Sequence, residues 1–196
     1  MPMMKKFVSW ILAMQLALLS AITALNAAAP APYLVLHTSA GDLVAELYPD
    51  VAPGTVAQIS KLVKAGLYDS TPFFRLERNF VLQTAMVQSR ALPLTSAQLA
   101  LLHKIPAEFS NIKHQRGILS LARYDHDPDS GESSFSILLA DAPHLDGKYT
   151  IFGRLVGGWE TLELIESMPR DSRNQPEPRI EILKAEVIAN NPIGSI

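Results

Sequence analysis

The sequence predicts a mainly β fold with helices, a closed antiparallel barrel with two main α-helices over its ends. Three observations carry this expectation. Short runs of alternating apolar and polar residues are separated by tight-turn residues, the pattern of strand hairpins. Two longer stretches repeat apolar residues at helical spacing. The chain then closes on one more alternating run, a strand free to return to the sheet and seal it; closure removes exposed edges. With 196 residues and 48% hydrophobic content, the chain has apolar material for one domain with a core.

Residues 1–28 stand apart from that domain. Lys5 and Lys6 give a basic start, and Phe7 to Leu25 is apolar apart from Ser9, Gln15, Ser20 and Thr23. Asn26-Ala27-Ala28-Ala29-Pro30 follows with small residues and a breaker. This is the layout of a secretory signal peptide, with cleavage expected after Ala27 or Ala28. The alternative is an uncleaved anchor, because a run of about 20 apolar residues spans a bilayer. The expected domain is 29–190, with 191–196 a frayed tail. Removal of Lys5 and Lys6 leaves 15 basic against 19 acidic side chains, a net charge of −4. No basic stripe appears, so nucleic acid is not expected as a partner. The chain has no cysteine. Disulfides and cysteine-linked lipids are therefore excluded, and stability must come from the core.

Taken in order, Tyr33 to Thr38 and Asp42 to Tyr48 read as strands joined at Ser39-Ala40-Gly41. Leu43, Ala45 and Leu47 share one face of the second. Pro49 to Gly54 breaks it. A helix is expected from Thr55 to Lys64, with Thr55 as its cap, Val56, Ile59, Leu62 and Val63 buried, and Gly66 as the stop. Phe73-Phe74-Arg75-Leu76-Glu77-Arg78-Asn79-Phe80-Val81-Leu82-Gln83 then reads as two strands with a polar bend at Glu77-Arg78-Asn79. Alternation puts Phe73 with Arg75 on one face and Val81 with Gln83 on the other arm. Pairing of the arms brings together a guanidinium, a branched apolar side chain and a primary amide. Such a patch can bind and polarise a neutral carbonyl or amide.

From Met86 to Lys104 the pattern is less regular. Thr95 or Ser96 can cap a short helix with Leu99 and Leu102 inward, in a loop expected to border the cleft. Gly117 to Ala122 is a strand, with Leu119 and Leu121 opposite Ile118 and Ser120. Asp125, Asp127 and Asp129 have the alternate spacing of a calcium loop. Ser130 stands where that loop needs glycine and Ser136 where it needs a bidentate glutamate, so no metal site is expected. A helix follows from Trp159 to Met168 with Leu162 and Ile165 buried. Arg179 to Ala189 is the closing strand, alternating through Ile180, Ile182, Leu183, Ala185 and Val187.

The stretch FFRLERNFVLQTA resembles the F-H-R-x-x-x-x-F-x-x-Q-G-G motif of the cyclophilins, a family of peptidyl-prolyl cis-trans isomerases. Arg75, Phe80 and Gln83 fall on the family's positions. Phe74 replaces the histidine, and Thr84 and Ala85 replace the glycines. Ala52-Pro53-Gly54-Thr55-Val56 and Gly66-Leu67-Tyr68 match the family's helix start and G-x-Y. Ile105-Pro106-Ala107-Glu108-Phe109 and Lys113-His114 through Arg123 resemble bacterial members, as does DPDSGESSFSI.

The resemblance covers about Tyr33 to Ala189 and implies the barrel, no cofactor, and proline-containing peptides or unfolded chains as substrates. It implies Arg75 as the catalytic donor and Gln83 as the group that holds a substrate carbonyl. Phe80, Val81, Leu121, Ala122, Leu145 and Tyr149 would line the proline site. Ser134 stands at the family's substrate-binding glutamine and Ser136 at its second phenylalanine. His144 stands at its tryptophan, as a rim contact; His126 is read as a surface histidine rather than a base. Reduced or altered activity is the expectation, with a non-catalytic peptide-binding module as the alternative. A monomer is expected; the leader points to export and the bacterial matches to the periplasm, with secretion, a plastid lumen or an anchor left by an uncleaved leader as alternatives. No stable membrane association is expected once the leader is cut.

Overall fold

The structure is a computed structural model that describes residues 31–193. The expected leader, 1–28, lies outside the described residues, as do 194–196 of the expected tail. The alternating runs become eight strands: β1 (Tyr33–Thr38), β2 (Gly41–Leu47), β3 (Thr71–Glu77), β4 (Val81–Thr84), β5 (Ile118–Leu121), β6 (Phe135–Leu138), β7 (Ile151–Gly157) and β8 (Ile180–Ile188). All pairs are antiparallel, in the order β1-β2-β7-β5-β6-β4-β3-β8, and β8 pairs back onto β1 to close the barrel.

Alternation decides which side chains fill the interior. Leu36, Leu43, Phe73, Leu82, Leu119, Phe135, Phe152 and Ile182 belong to one buried cluster. Each large apolar side chain buried in this way contributes about 1.5–3 kcal/mol. Helix α1 (Pro53–Lys64) adds Val56, Ile59, Leu62 and Val63 to that cluster. Helix α2 (Ser96–Leu99) is a single turn, and helix α3 (Trp159–Ser167) adds Leu162 and Ile165. A smaller cluster outside the barrel unites Val81, Ile118, Leu138, Ala142 and Ile151, with Phe80 and Leu145 packed against it. It backs the surface on which the candidate site lies.

Glycine is needed where α3 begins. Gly158 has φ +78°, and a Cβ there would lie 2.0 Å from the Asp42 carbonyl oxygen. The helix therefore starts in a left-handed residue pressed against the first residues of β2.

Three local expectations are corrected. Thr55 does not cap α1; Ala52 precedes the helix and Pro53 opens it, a position where the missing N–H costs nothing. The orphan N–H groups of Gly54 and Thr55 instead donate to the Glu108 carboxylate, each at 2.8 Å. In α2, Thr95 does form a capping box with Gln98, but Leu99 faces solvent. Gln98 Nε2 donates to the Ala65 carbonyl at 2.9 Å, so the Gln98 side faces the protein, and Leu94, Leu101 and Leu102 pack on the core instead. In β8, Leu183 is 59% exposed. Thr38 pairs with Ile182 and His37 with Lys184, so Leu183 is an extra residue bulged out of the ladder. The bulge shifts the phase and returns Ala185 to the interior.

Candidate active site

The site is built on the β3–β4 hairpin. Val81 and Glu77 begin the ladder, Leu76 opposes Leu82, and Arg75 opposes Gln83. The next pair is Phe73 with Thr84, so Phe74 is a bulge. The expectation that Phe73 and Arg75 share a face is thereby corrected. Phe73 is 1% exposed in the core, whereas Arg75 emerges on the outer face with Gln83 and Val81. Asn79, with φ +58°, makes the bend.

Two bonds orient the Gln83 amide. Its Oε1 accepts from Arg75 Nη1 at 3.4 Å, and its Nε2 donates to Ser134 Oγ at 3.2 Å. Ser134 Oγ donates in turn to the Thr84 carbonyl at 2.7 Å. The guanidinium also lies 5.4 Å from the Phe80 ring centroid and pairs through Nη2 with Glu77. Both partners of that ion pair are more than a third exposed, so water screens it. A guanidinium has five donors, and the two bonds leave most of them for a ligand.

A pocket of about 180 Å³ opens beside Arg75. Of the residues expected from the sequence, it gathers Arg75, Phe80, Val81, Gln83, Leu121, Ala122, Ser136, Leu145 and Tyr149. Ser134 lies instead in an adjoining cleft of about 480 Å³, which meets the first pocket at Gln83, Ala122 and Arg123. His144 is exposed and reaches the site only through a tilted contact with Phe80, with ring centroids 5.5 Å apart. His126 stacks on Tyr124 on the surface. Leu121 fits because Gly131 makes room for it; a Cβ there would meet Leu121 Cδ2 at 2.4 Å.

Sequence reasoning missed four lining residues: Ser120, Arg123, Asp125 and Leu138. Arg123 lies 4.2 Å from the Tyr149 ring centroid and donates to the Lys148 carbonyl. The Tyr149 hydroxyl donates to Asp125 Oδ1 at 3.0 Å. Burial, followed by that bond, pushes the Tyr149 phenol above its usual range, so it stays a neutral donor. Ser120 Oγ is 3.2 Å from Nε2 of the buried His114, whose Nδ1 is 3.1 Å from Asp146 Oδ1. In the sequence Ser120 falls in the expected strand Gly117 to Ala122, Arg123 closes the motif that begins at Lys113, and Asp125 opens the acidic loop, none of which marks a pocket residue.

The leucine-rich segment borders the cleft only at its start. Only Met86 and Ser89, at its start, line the larger cleft. Farther along, Arg90 donates to the Gly66 carbonyl just past α1, and Gln58 of α1 donates to the Leu101 carbonyl. The acidic loop is used structurally. Asp127 accepts from Lys104 and from the Asp129 N–H, and Asp129 accepts from the Ala107 N–H. Among the described residues, no three His, Cys, Asp or Glu side chains gather as a metal-binding group.

A family model described as cyclophilin type peptidyl-prolyl cis-trans isomerase matches residues 33–187. The chain belongs to the cyclophilin family. It is 46% identical over 155 residues to peptidyl-prolyl cis-trans isomerase CYP23 of Arabidopsis thaliana, covering 76% of this chain and 68% of that protein. A probable peptidyl-prolyl cis-trans isomerase of Brucella suis is 32% identical over 178 residues, covering 88% of this chain and 90% of that one. A Cryptosporidium parvum cyclophilin type isomerase, crystallised in the presence of the dipeptide Ala-Pro, superposes with a TM-score of 0.71. It is 29% identical, and the match covers 81% of this chain and 99% of that one. The closed antiparallel barrel expected from the strand pattern, and implied as the cyclophilin fold by the resemblance, is the fold of this chain.

Proposed function

We propose that this cyclophilin isomerises X-Pro bonds in exported proteins and assists their folding, with activity below that of relatives whose proline site has an aromatic floor. The observation that carries the reading is Arg75 held opposite Gln83 at the mouth of a pocket walled by Phe80, Val81, Leu121 and Leu145. A pocket of about 180 Å³ suits a single pyrrolidine ring.

The chemistry follows from the amide. Rotation about X-Pro faces a barrier of about 18–20 kcal/mol because the nitrogen lone pair is delocalised into the carbonyl. In the twisted state the lone pair returns to nitrogen. An N–H of Arg75 aimed at that nitrogen is favoured more in the twisted state than in either planar state, which lowers the barrier. Gln83 retains an N–H beyond its bond to Ser134 and can donate it to a substrate carbonyl. The apolar walls hold the ring while the preceding residue turns. Ser136 offers the ring less contact than an aromatic side chain does, hence the lower rate.

Export rests on the basic, apolar and alanine-rich order of residues 1–28, and the periplasm on the Ile105–Phe109 and Asp127–Ile137 matches. Uncatalysed exchange takes roughly 10–100 s, slow enough to limit folding, so an exported isomerase has a clear use. The test is a prolyl-peptide exchange assay on the mature chain, with Arg75→Ala beside the wild type. Loss of most of the rate in the variant supports the proposal. A wild-type rate no higher than buffer leaves a peptide-binding module in its place. Mass determination of the exported chain tests cleavage near Ala27 or Ala28.

A further inference from the structure

The floor of the ring pocket is polar. Gln83 of β4 pairs with Ser136 of β6, and Ser136 pairs with Ser120 of β5, so the three lie in one row across the sheet. Phe135 and Ile137, on either side of Ser136, belong to the barrel core, so Ser136 faces outward. It is 9% exposed and lines the 180 Å³ pocket.

The members of this row differ in what they have to spare. Gln83 spends Oε1 on Arg75 and one N–H on Ser134. Ser120 Oγ is bonded to His114. Tyr149, which lines the pocket outside the row, has its hydroxyl bonded to Asp125. Ser136 Oγ has no hydrogen-bond partner among the described residues. Nor is it sealed inside the protein, because among the described residues the one fully enclosed side-chain atom without a partner is Arg90 Nε. Its donor and acceptor capacity is therefore directed into the pocket.

An isomerase substrate must present a tertiary amide, so the ring must be proline or a derivative of it. An unmodified ring presents only CH₂ groups to Ser136 and takes solvent from that hydroxyl without replacing its bond, an unfavourable exchange. A ring that carries its own hydroxyl replaces the bond. We propose that Ser136 makes this pocket selective for hydroxylated proline, with 4-hydroxyproline isomerised in preference to proline. The proposal rests on the isomerase reading above and specifies its substrate.

Protease-free NMR exchange on Ala-Ala-Pro-Phe and on its two 4-hydroxyproline epimers tests it. For one epimer kcat/KM is expected roughly 3- to 10-fold above proline, the size of one hydrogen bond. Ser136→Ala should bring that ratio to one or below, whatever it does to the proline rate, and Ser136→Thr should keep it above one. Ratios below one for both epimers in the wild type, or a ratio indifferent to Ser136→Ala, overturn the proposal. If no peptide is turned over, the isomerase reading fails alone, and NMR titration with Ala-Pro and Ala-hydroxyproline dipeptides decides the pocket. Tighter binding of the hydroxylated dipeptide, lost in Ser136→Ala, supports it; equal binding overturns it.

Discussion

Arg75 and Gln83 stand opposite each other across β3 and β4, and Arg75 Nη1 donates to the Gln83 side-chain carbonyl at 3.4 Å. One amide thus steadies the guanidinium and keeps an N–H of its own for a ligand. The arrangement depends on the planar fork, which an ammonium cannot reproduce. Arg75→Lys should lower kcat/KM by about 10²-fold, the scale of losing one aimed donor. Stability should change by no more than about 1 kcal/mol, since the side chain is a third exposed. Exchange kinetics together with a urea melt check both parts. Activity retained in the lysine variant would mean that charge alone, without the fork, is enough.

Glu77 acts against that donor. Its carboxylate pairs with Nη2, two residues along the same strand. A substrate nitrogen competes with this carboxylate for the guanidinium. Glu77→Gln should therefore raise kcat/KM by roughly 2- to 5-fold, the range of a screened surface pair. Added salt should raise the wild-type rate and leave the variant nearly unchanged. A slower variant would assign Glu77 the role of aiming Arg75 rather than restraining it.

The hairpin was legible because its polar bend and its Arg75-to-Gln83 spacing are local. Its exact register was not. Nothing in Phe73-Phe74-Arg75 announces that Phe74 is bulged; the bulge arises because Phe73 must reach the barrel core while Arg75 leaves it. Leu183 misled for the same reason, since alternation cannot register one extra residue in a strand. Both helical stripes were readable because 3.6-residue periodicity survives over the 9 and 12 residues of α3 and α1. Leu99 was not, because one turn of helix has no stripe, and its orientation follows from the Gln98 bond to Ala65. Ser120, His114 and Asp146 are joined by hydrogen bonds across 6 and 32 residues of chain, contacts that leave no periodic trace.

Glu108 was quoted as part of a motif, and its work is mechanical. Its two carboxylate oxygens accept from Gly54 N–H, Thr55 N–H and Thr55 Oγ, 53 or 54 residues away. This caps α1 from outside, with a negative charge at the positive end of the helix. Glu108→Ala should cost about 1–2 kcal/mol in a denaturant melt, as loss of a cap does. Glu108→Gln, which keeps one acceptor, should cost less. Equal losses in the two variants would point to packing rather than capping.

Acid should destabilise the protein through His114 before it reaches the carboxylates. Burial pushes the His114 imidazole below its ordinary 6.5, although Asp146 pulls the other way. Folded His114 therefore stays neutral where the unfolded chain already binds a proton, and stability falls as pH drops from about 7 through 5. Asp146 acts lower on the scale. The His114 backbone N–H, with Lys113 and the imidazole, holds its carboxyl down to about 2. Its contribution is full above the ordinary 3.8 and is lost as pH falls toward 2. Wild-type Tm should decline between pH 7 and 5, and His114→Asn, although less stable throughout, should be nearly flat there. A wild-type Tm that rises on acidification would mean the imidazolium–Asp146 attraction outweighs burial. The bond from His114 to Ser120 would then strengthen, not loosen, the pocket floor in acid.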